Sequence, residues 1–525
     1  MIKKIFLAFI FLGYSNIYAI NNTEKKIRVN VSAGILEGGV NEEGLKYKRL
    51  SGNVIIEYED IIIHADRAIY FDESKDLIAE GNIKIIHKDE NTVYADSIVY
   101  HHETKMADLN GNITLTSKNA TFTTENMQYD TKKEIAYFNN QATIKEGENT
   151  LISKFGYFDK RHELAVFEEN VLLENNDYTL KSEKIIYNNI SKVAKFKGKT
   201  FISSKDGTKK FTAENGGEYN TQKNKANFKK STLKTDRIII SADSVEADQK
   251  KEIYTIAGNV TIQEKNEDLY ITGEYGVYNK KEGIAELFGK TLITKYLEGD
   301  NLYASADRIY AVEKKIDNTG NKKKEKKITV HAYGDVKVYK NDMQARASEM
   351  VYDEERDIVE IVGRPIFWNY QNQITAEKGS IHLENKKIKF IELTPKGFFV
   401  FKDELGNFNQ VCGEKVVISF ENNFISKMQM IENVEVIYFA ISNNKIKGIN
   451  ILKCGEISMD LSKQHVSKID FPVKSKGRFY PIGLSKDLDL YLKNFEWREN
   501  ERPTKDEVIN RGYGKVKNFE SFSFN

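Results

Sequence analysis

A unit of about 29 residues recurs from residue 50 to beyond residue 360, and no other property of this chain restricts its fold as strongly. Each copy carries a marker residue after a small or polar one: Asn53, Asn82, Asn112, Gln141, Asn170, Lys199, Ser231, Asn259, Lys290, Asp335 and Arg364. An aromatic precedes most markers by 12 positions, at Tyr70, Tyr100, Tyr129, Phe158, Tyr187, Tyr219, Tyr278 and Tyr352. Five residues before these stands a small-polar pair such as Ala65-Asp66, Ala95-Asp96 or Ser182-Glu183. Seven residues after them an alanine returns, at 107, 136, 165, 194, 226 and 285. One step is long, from Lys290 to Asp335, and its excess maps to Glu313–Lys327 (313–327), read as a polar loop between strands.

Inside each unit the period is two. Val54, Ile56 and Tyr58 alternate with Ile55 and Glu57, as in a half-buried strand. Only 5 prolines occur against 28 Tyr and 29 Phe, which suits long strands whose ladder hydrogen bonds proline would delete. Gly-Asn, Asn-Asn and Asp-Gly pairs read as turns needing φ > 0. The expected fold is all-β: an elongated antiparallel jellyroll or sandwich of about a dozen such repeats over residues 30–397. Residues 398–525 form a β-rich C-terminal segment. The N-terminal open edge is expected at Ser51–Ile63, with Val54–Tyr58 as the bare strand.

The first 19 residues, with Lys3-Lys4 before the apolar run Ile5–Leu12 and Ala19 at the end, read as a cleaved export signal. With 79 basic and 77 acidic residues the net charge is +2, so no nucleic-acid partner is expected. No catalytic set, phosphate loop or nucleotide fingerprint is present, and no enzyme activity, cofactor or metal is expected. His101 and His102 are adjacent on a strand and point to opposite faces. Asp66, Asp96, Asp243 and Asp307 recur once per repeat, which reads as structure, as turn or edge residues, rather than catalysis. The C-terminal segment holds two Cys-Gly-Glu units, at Cys412 and Cys454. In an oxidising compartment these either pair as a disulfide or remain two buried thiols.

The units Gly-Asn-Val-x-Ile, then Ala-Asp-x-x-x-Tyr with a trailing Ala, resemble the OstA/LptA-like (organic solvent tolerance-like) family over about residues 30–400. The resemblance implies a periplasmic, non-enzymatic bridge for lipopolysaccharide transport and outer-membrane assembly. Its jellyroll interior would shield lipid A acyl chains, and its partners would be other jellyroll-type components joined by β-strand pairing. On the residues alone, Val54, Ile56, Ile83, Ile85, Ile113, Leu115, Ala142, Ile144, Val171, Leu173, Val260, Ile262, Val336 and Val338 fill a packed sandwich. The resemblance makes them the lining of a lipid groove. The rival reading is a secreted structural or adhesive repeat protein with a closed core. Two features depart from a minimal family member: about twice the number of units, and the tail through Leu492-Lys493-Asn494-Phe495-Glu496-Trp497-Arg498, which resembles the tail of long OstA-like proteins.

Overall fold

The computed structural model describes residues 29–511 except 59–60, 88–91, 117–119, 266–268, 298–299, 317–324, 385–386, 422–423, 463–464 and 485–487. The expected signal, 1–19, lies outside the described residues, as does the middle of the 313–327 insertion. Thirty-seven antiparallel strands account for most of the described residues, with one five-residue α-helix, Lys505–Ile509. The all-β expectation is met. Among the described residues, one compact unit takes in those of Met1–Asp236 and Ser241–Glu252. A second takes in those of Arg237–Ile240 and Ile253–Asn525.

The marker motif is a mid-strand bulge and not a turn. Strand Met106–Thr116 pairs with Ala120–Asp130 from Met106↔Asp130 to Asn110↔Asn126, then resumes at Ile113↔Thr124. Gly111 and Asn112 thus oppose a single residue, with φ of +77° and +47°. The same pair of positive φ values occurs at Gly52-Asn53, Gly81-Asn82, Gly258-Asn259, Gly289-Lys290, Gly334-Asp335 and Gly363-Arg364. A Gly-Asn pair suits a hairpin turn and a bulge equally well, because both need consecutive left-handed residues. The strand-to-strand turns lie elsewhere, with positive φ at Lys75, Lys105, Glu134, Glu163, Lys192, Asn224 and Glu252.

Each bulge bends its strand, so that the two halves contribute to two facing walls. In the first unit, rings reach across the interior: Phe122 to Phe158 at 5.5 Å and Phe211 to Phe228 at 5.1 Å. The acidic residues expected at turns or edges are likewise mid-strand, opposite the bulges. A Cβ on Gly81 would lie 2.4 Å from Asp66 Oδ2, and one on Gly111 2.2 Å from Asp96 Oδ2. Glycine there makes room for the carboxylate, which accepts the bulge's own amide: Asn82 Nδ2 donates to Asp66 at 2.8 Å and Asn112 Nδ2 to Asp96 at 3.0 Å. Asp243 is interior to strand Ile238–Asp248, and Asp307 to Asp300–Ile316.

Two other expectations, on the N-terminal edge and on the 313–327 insertion, are corrected, and the structure also bears on the 397/398 boundary and on the cysteines. Val54–Tyr58 is no edge, because Val29–Ser32 and Ile35–Val40 both pair with strand Lys46–Tyr58. These two short strands form the edge instead, and leave Val29, Val31, Ile35, Leu36 and Val40 exposed. The ends of the 313–327 insertion are strand, not loop: Glu313↔Ile328 to Ile316↔Glu325 extend a hairpin ladder. The boundary expected at 397/398 falls inside one buried cluster running from Val338 to Met459. Cys412 and Cys454 are free thiols. Cys412 pairs with Glu435 and Cys454 with Val434, so strand Phe424–Ser442 lies between them. Two strand spacings, about 9.6 Å, exceed the Cα range a disulfide spans.

Candidate functional site: a two-walled apolar interior

Every candidate groove residue lies on the interior face. Val54, Ile56, Ile83, Ile113, Ala142, Ile144, Val171, Leu173, Val260, Val336 and Val338 are buried, and Ile85, Leu115 and Ile262 are half-buried. Sequence reasoning found one wall and missed the other. The second wall carries the recurring aromatics and alanines, which were legible as a spacing but not as a face. They pair across neighbouring strands as an unbroken alternation: Tyr129↔Ala136, Ala136↔Phe158, Phe158↔Ala165, Ala165↔Tyr187, Tyr187↔Ala194 and Ala194↔Tyr219. Alternating large and small side chains lets each ring occupy the space over its neighbours' methyls.

Between residues 138 and 228 the walls of the first unit close on each other. On one, Ile144, Leu151, Leu173, Leu180 and Ile202 form a paired ladder, all buried, with Leu173 at 1% exposure. On the other, a second row alternates phenylalanine with glycine: Phe138↔Gly156↔Phe167 and Phe196↔Gly217↔Phe228. A Cβ on Gly156 would lie 2.4 Å from Phe138 Cζ, and one on Gly217 2.5 Å from Phe228 Cδ1. The glycines admit the rings, and the rings fill the interior; Phe167 is fully buried.

Between residues 253 and 311 of the second unit the same rows carry smaller side chains. The phenylalanine row becomes Ile256↔Gly276↔Leu287↔Ile309. The facing ladder, Ile262↔Ile271↔Ile293↔Ala304, is half-buried throughout. Tyr254 and Tyr278 stack at 6.2 Å on one wall and also keep partial exposure. Loss of ring volume leaves apolar residues of both walls open to solvent. Such a surface has a favourable free energy of about 25 cal/mol per Å² for any apolar guest that covers it.

The interior holds few polar groups. Glu146 stands two residues beyond Ile144 on the same face; its Oε2 is buried with no hydrogen-bond partner among the described residues. Burial pushes its carboxyl up to about 7. His101 Nε2 lies 3.4 Å from Asp108 Oδ2, and Lys105 Nζ lies 3.3 Å from His102 Nδ1. Among the described residues no group of His, Cys, Asp or Glu is arranged to hold a metal ion.

Antiparallel strands bent at a repeated bulge around an apolar, two-walled interior define an all-β repeat protein. Residues 37–183 match the family described as OstA-like protein. Residues 239–387 match the LptA/(LptD N-terminal domain) LPS transport proteins. Each of these two stretches is thus an OstA/LptA-like domain of the lipopolysaccharide-transport type. A solved structure is also similar, that of LptH, the LptA homologous periplasmic component of the lipopolysaccharide transport device from Pseudomonas aeruginosa. It shares 15% identity over 29% of this chain and 80% of that one, with a TM-score of 0.14 that by itself defines no fold. No curated protein matches the chain.

Proposed function

We propose that this protein is a periplasmic, non-enzymatic bridge that carries lipopolysaccharide toward the outer membrane for its assembly, holding acyl chains between its two walls. The observation that carries this reading is the half-buried Ile262, Ile271, Ile293 ladder, with Tyr254, Ile256 and Tyr278 of the other wall half-buried as well. A folded protein seldom leaves apolar residues of two facing walls open unless something covers them. The family supplies the chemistry of that guest. Energy for movement comes from other components, which pair with the exposed edge strands: Val29–Ser32 and Ile35–Val40 at one end of the chain, and His465–Val473 and Lys476–Pro481 at the other.

Native mass spectrometry of protein purified from its own host is the test. Co-purified lipopolysaccharide, reduced by Ile262→Asp and Ile293→Asp in chains that stay folded, is the expected result. A lipid-free protein with no affinity for added lipopolysaccharide supports the structural or adhesive rival, for which the closed interior from Phe122 to Phe228 is the favouring observation. Photo-crosslinking from Leu36 in living cells tests the edges; silence there and at Phe479 sinks the bridge.

A further inference from the structure

Residues 489–511 contain no strand, yet they are not loose. Three glutamines of the second unit, Gln344, Gln373 and Gln410, sit on strands Met343–Asp353, Asn372–Thr375 and Phe408–Gly413, each next to a residue of the inner face (Ala345, Ile374 and Val411). They point away from that interior and are nonetheless buried, at 3%, 1% and 0% exposure. Their amides meet the tail. Gln410 Nε2 donates to Leu490 O at 2.8 Å, and Leu492 N donates to Gln410 Oε1 at 2.8 Å. Gln373 Nε2 donates to Glu496 O at 2.7 Å, and Arg498 N donates to Gln373 Oε1 at 2.7 Å. Arg502 Nε donates to Gln344 Oε1 at 2.7 Å. A planar amide with one donor and one acceptor side engages a peptide as a neighbouring strand would. The first two contacts repeat every six residues of the tail, one glutamine to each turn of the repeat. Between them Phe495 and Trp497 pack on Phe408 at 5.4 and 5.2 Å.

The tail ends on a corner that is incomplete without it. At the corners of Asp66 and Asp96 the bulge supplies an asparagine donor. At Asp307 the bulge residue is Asp335, a second carboxylate with nothing to donate. Arg511 Nη2 instead donates to Asp307 Oδ1 at 2.5 Å and to Gly334 O at 2.9 Å, and Nη1 to Asp335 O at 2.6 Å. Arg346 Nε donates to Asp335 Oδ1 at 2.7 Å, and its Nη1 holds the tail's Glu501 at 3.3 Å. Arg346 and Lys337 (3.7 Å) serve the Asp335 carboxylate, and Arg511 supplies the cation at Asp307.

We propose that residues 489–511 are a built-in peptide ligand of the second unit's outer face, a strap read by the glutamine ladder whose Arg511 replaces the asparagine that the Asp307 corner lacks. The strap ties strands behind the closed part of that unit to the corner beside its open part. It needs no lipid and stands whether or not the transport reading does.

Hydrogen exchange on the full-length chain tests it. The Leu492 and Arg498 amides are expected to be protected, and Gln373→Ala with Gln410→Ala to lose about tenfold or more of that protection while the Val416 and Ile457 strands keep theirs. Arg511→Ala should speed exchange around Gly334, and adding Asp335→Asn should restore it by rebuilding the Asn-to-Asp contact of the other corners. Tail exchange unchanged by the double glutamine change, or no rescue by Asp335→Asn, overturns the proposal. Should the variants fail to fold, trypsin on the wild-type chain decides: resistance at Lys493 and Arg498 supports the strap, and cleavage at the rate of a free peptide removes it. Protection that grows with protein concentration would mean the tail docks on a second copy, and the internal strap is then wrong.

Discussion

Leu173 in the first unit and Ile262 in the second hold the same place in the repeat, three residues past the marker on the inner face. One is sealed, and the other meets solvent. The difference arises across the interior and not at these residues. Opposite Leu173 stand rings seated over glycines, Phe138, Gly156 and Phe167; opposite Ile262 the matching row is Ile256, Gly276 and Leu287. A phenylalanine-to-aliphatic change in one row goes with a facing ladder that is half-buried instead of sealed, with the backbone plan unchanged. Closure here is set by side-chain volume and the groove by its shortage.

The largest effect that could break this contrast comes from charge. Val171→Asp places a carboxylate among Leu173, Leu180 and the rings, and should cost upwards of ~4 kcal/mol, enough to unfold the first unit. Ile262→Asp, with water at hand, should cost about 1 kcal/mol and act on lipid binding instead. Denaturation curves for the two variants decide, and equal losses would mean that both interiors are closed. Corners should show no such contrast. Gly111→Ala and Gly334→Ala each put a methyl at positive φ against an aspartate, 2.2 and 2.4 Å from its Oδ2, and each should cost about 1–3 kcal/mol. Markedly unequal costs would show that the corners, too, differ between units.

A smaller effect sharpens the picture by pH. Glu146 has a folded-state pKa of about 7, above its unfolded value, so the protonated form is the one the fold prefers. Its contribution is favourable below about pH 4.3 and is lost as pH rises through 7. Glu146→Gln should therefore raise the melting temperature at pH 8 and leave it unchanged at pH 4. A stabilisation equal at both pH values would show that Glu146 is solvated. The smallest effect is at the cysteines. Cys412 and Cys454 should both label with a thiol probe after unfolding without reductant, and reductant should not shift stability. Absence of label would require strand Phe424–Ser442 to lie elsewhere.

Much of the architecture was readable because the repeat states it many times. The period-2 pattern from Val54 to Val338 assigned one inner wall correctly, since alternation ties side-chain direction to position. The second wall was written as plainly, in Tyr129, Phe158 and Tyr187 with their following alanines. Its direction was hidden by the bulge, which shifts register by one residue and so reverses which face a given spacing reaches. Gly-Asn misled for the same reason: its backbone demand is common to turns and bulges.

Strand content, the length of the repeat, the inner face of one wall and the OstA/LptA-like domains were legible in the sequence alone, because each rests on local alternation or on motifs repeated in register. Tertiary structure alone decided that Asp66 and Asp96 face bulge glycines, that Val54–Tyr58 is covered, and that Cys412 and Cys454 flank a strand. It alone decided that the interior is filled near Phe167 and open near Ile262, and that the tail reaches back to Asp307. Each of these depends on which residues meet across strands or across the interior. Pairing of that kind is fixed by register and by the volume of facing side chains, and neither is a property of any one segment.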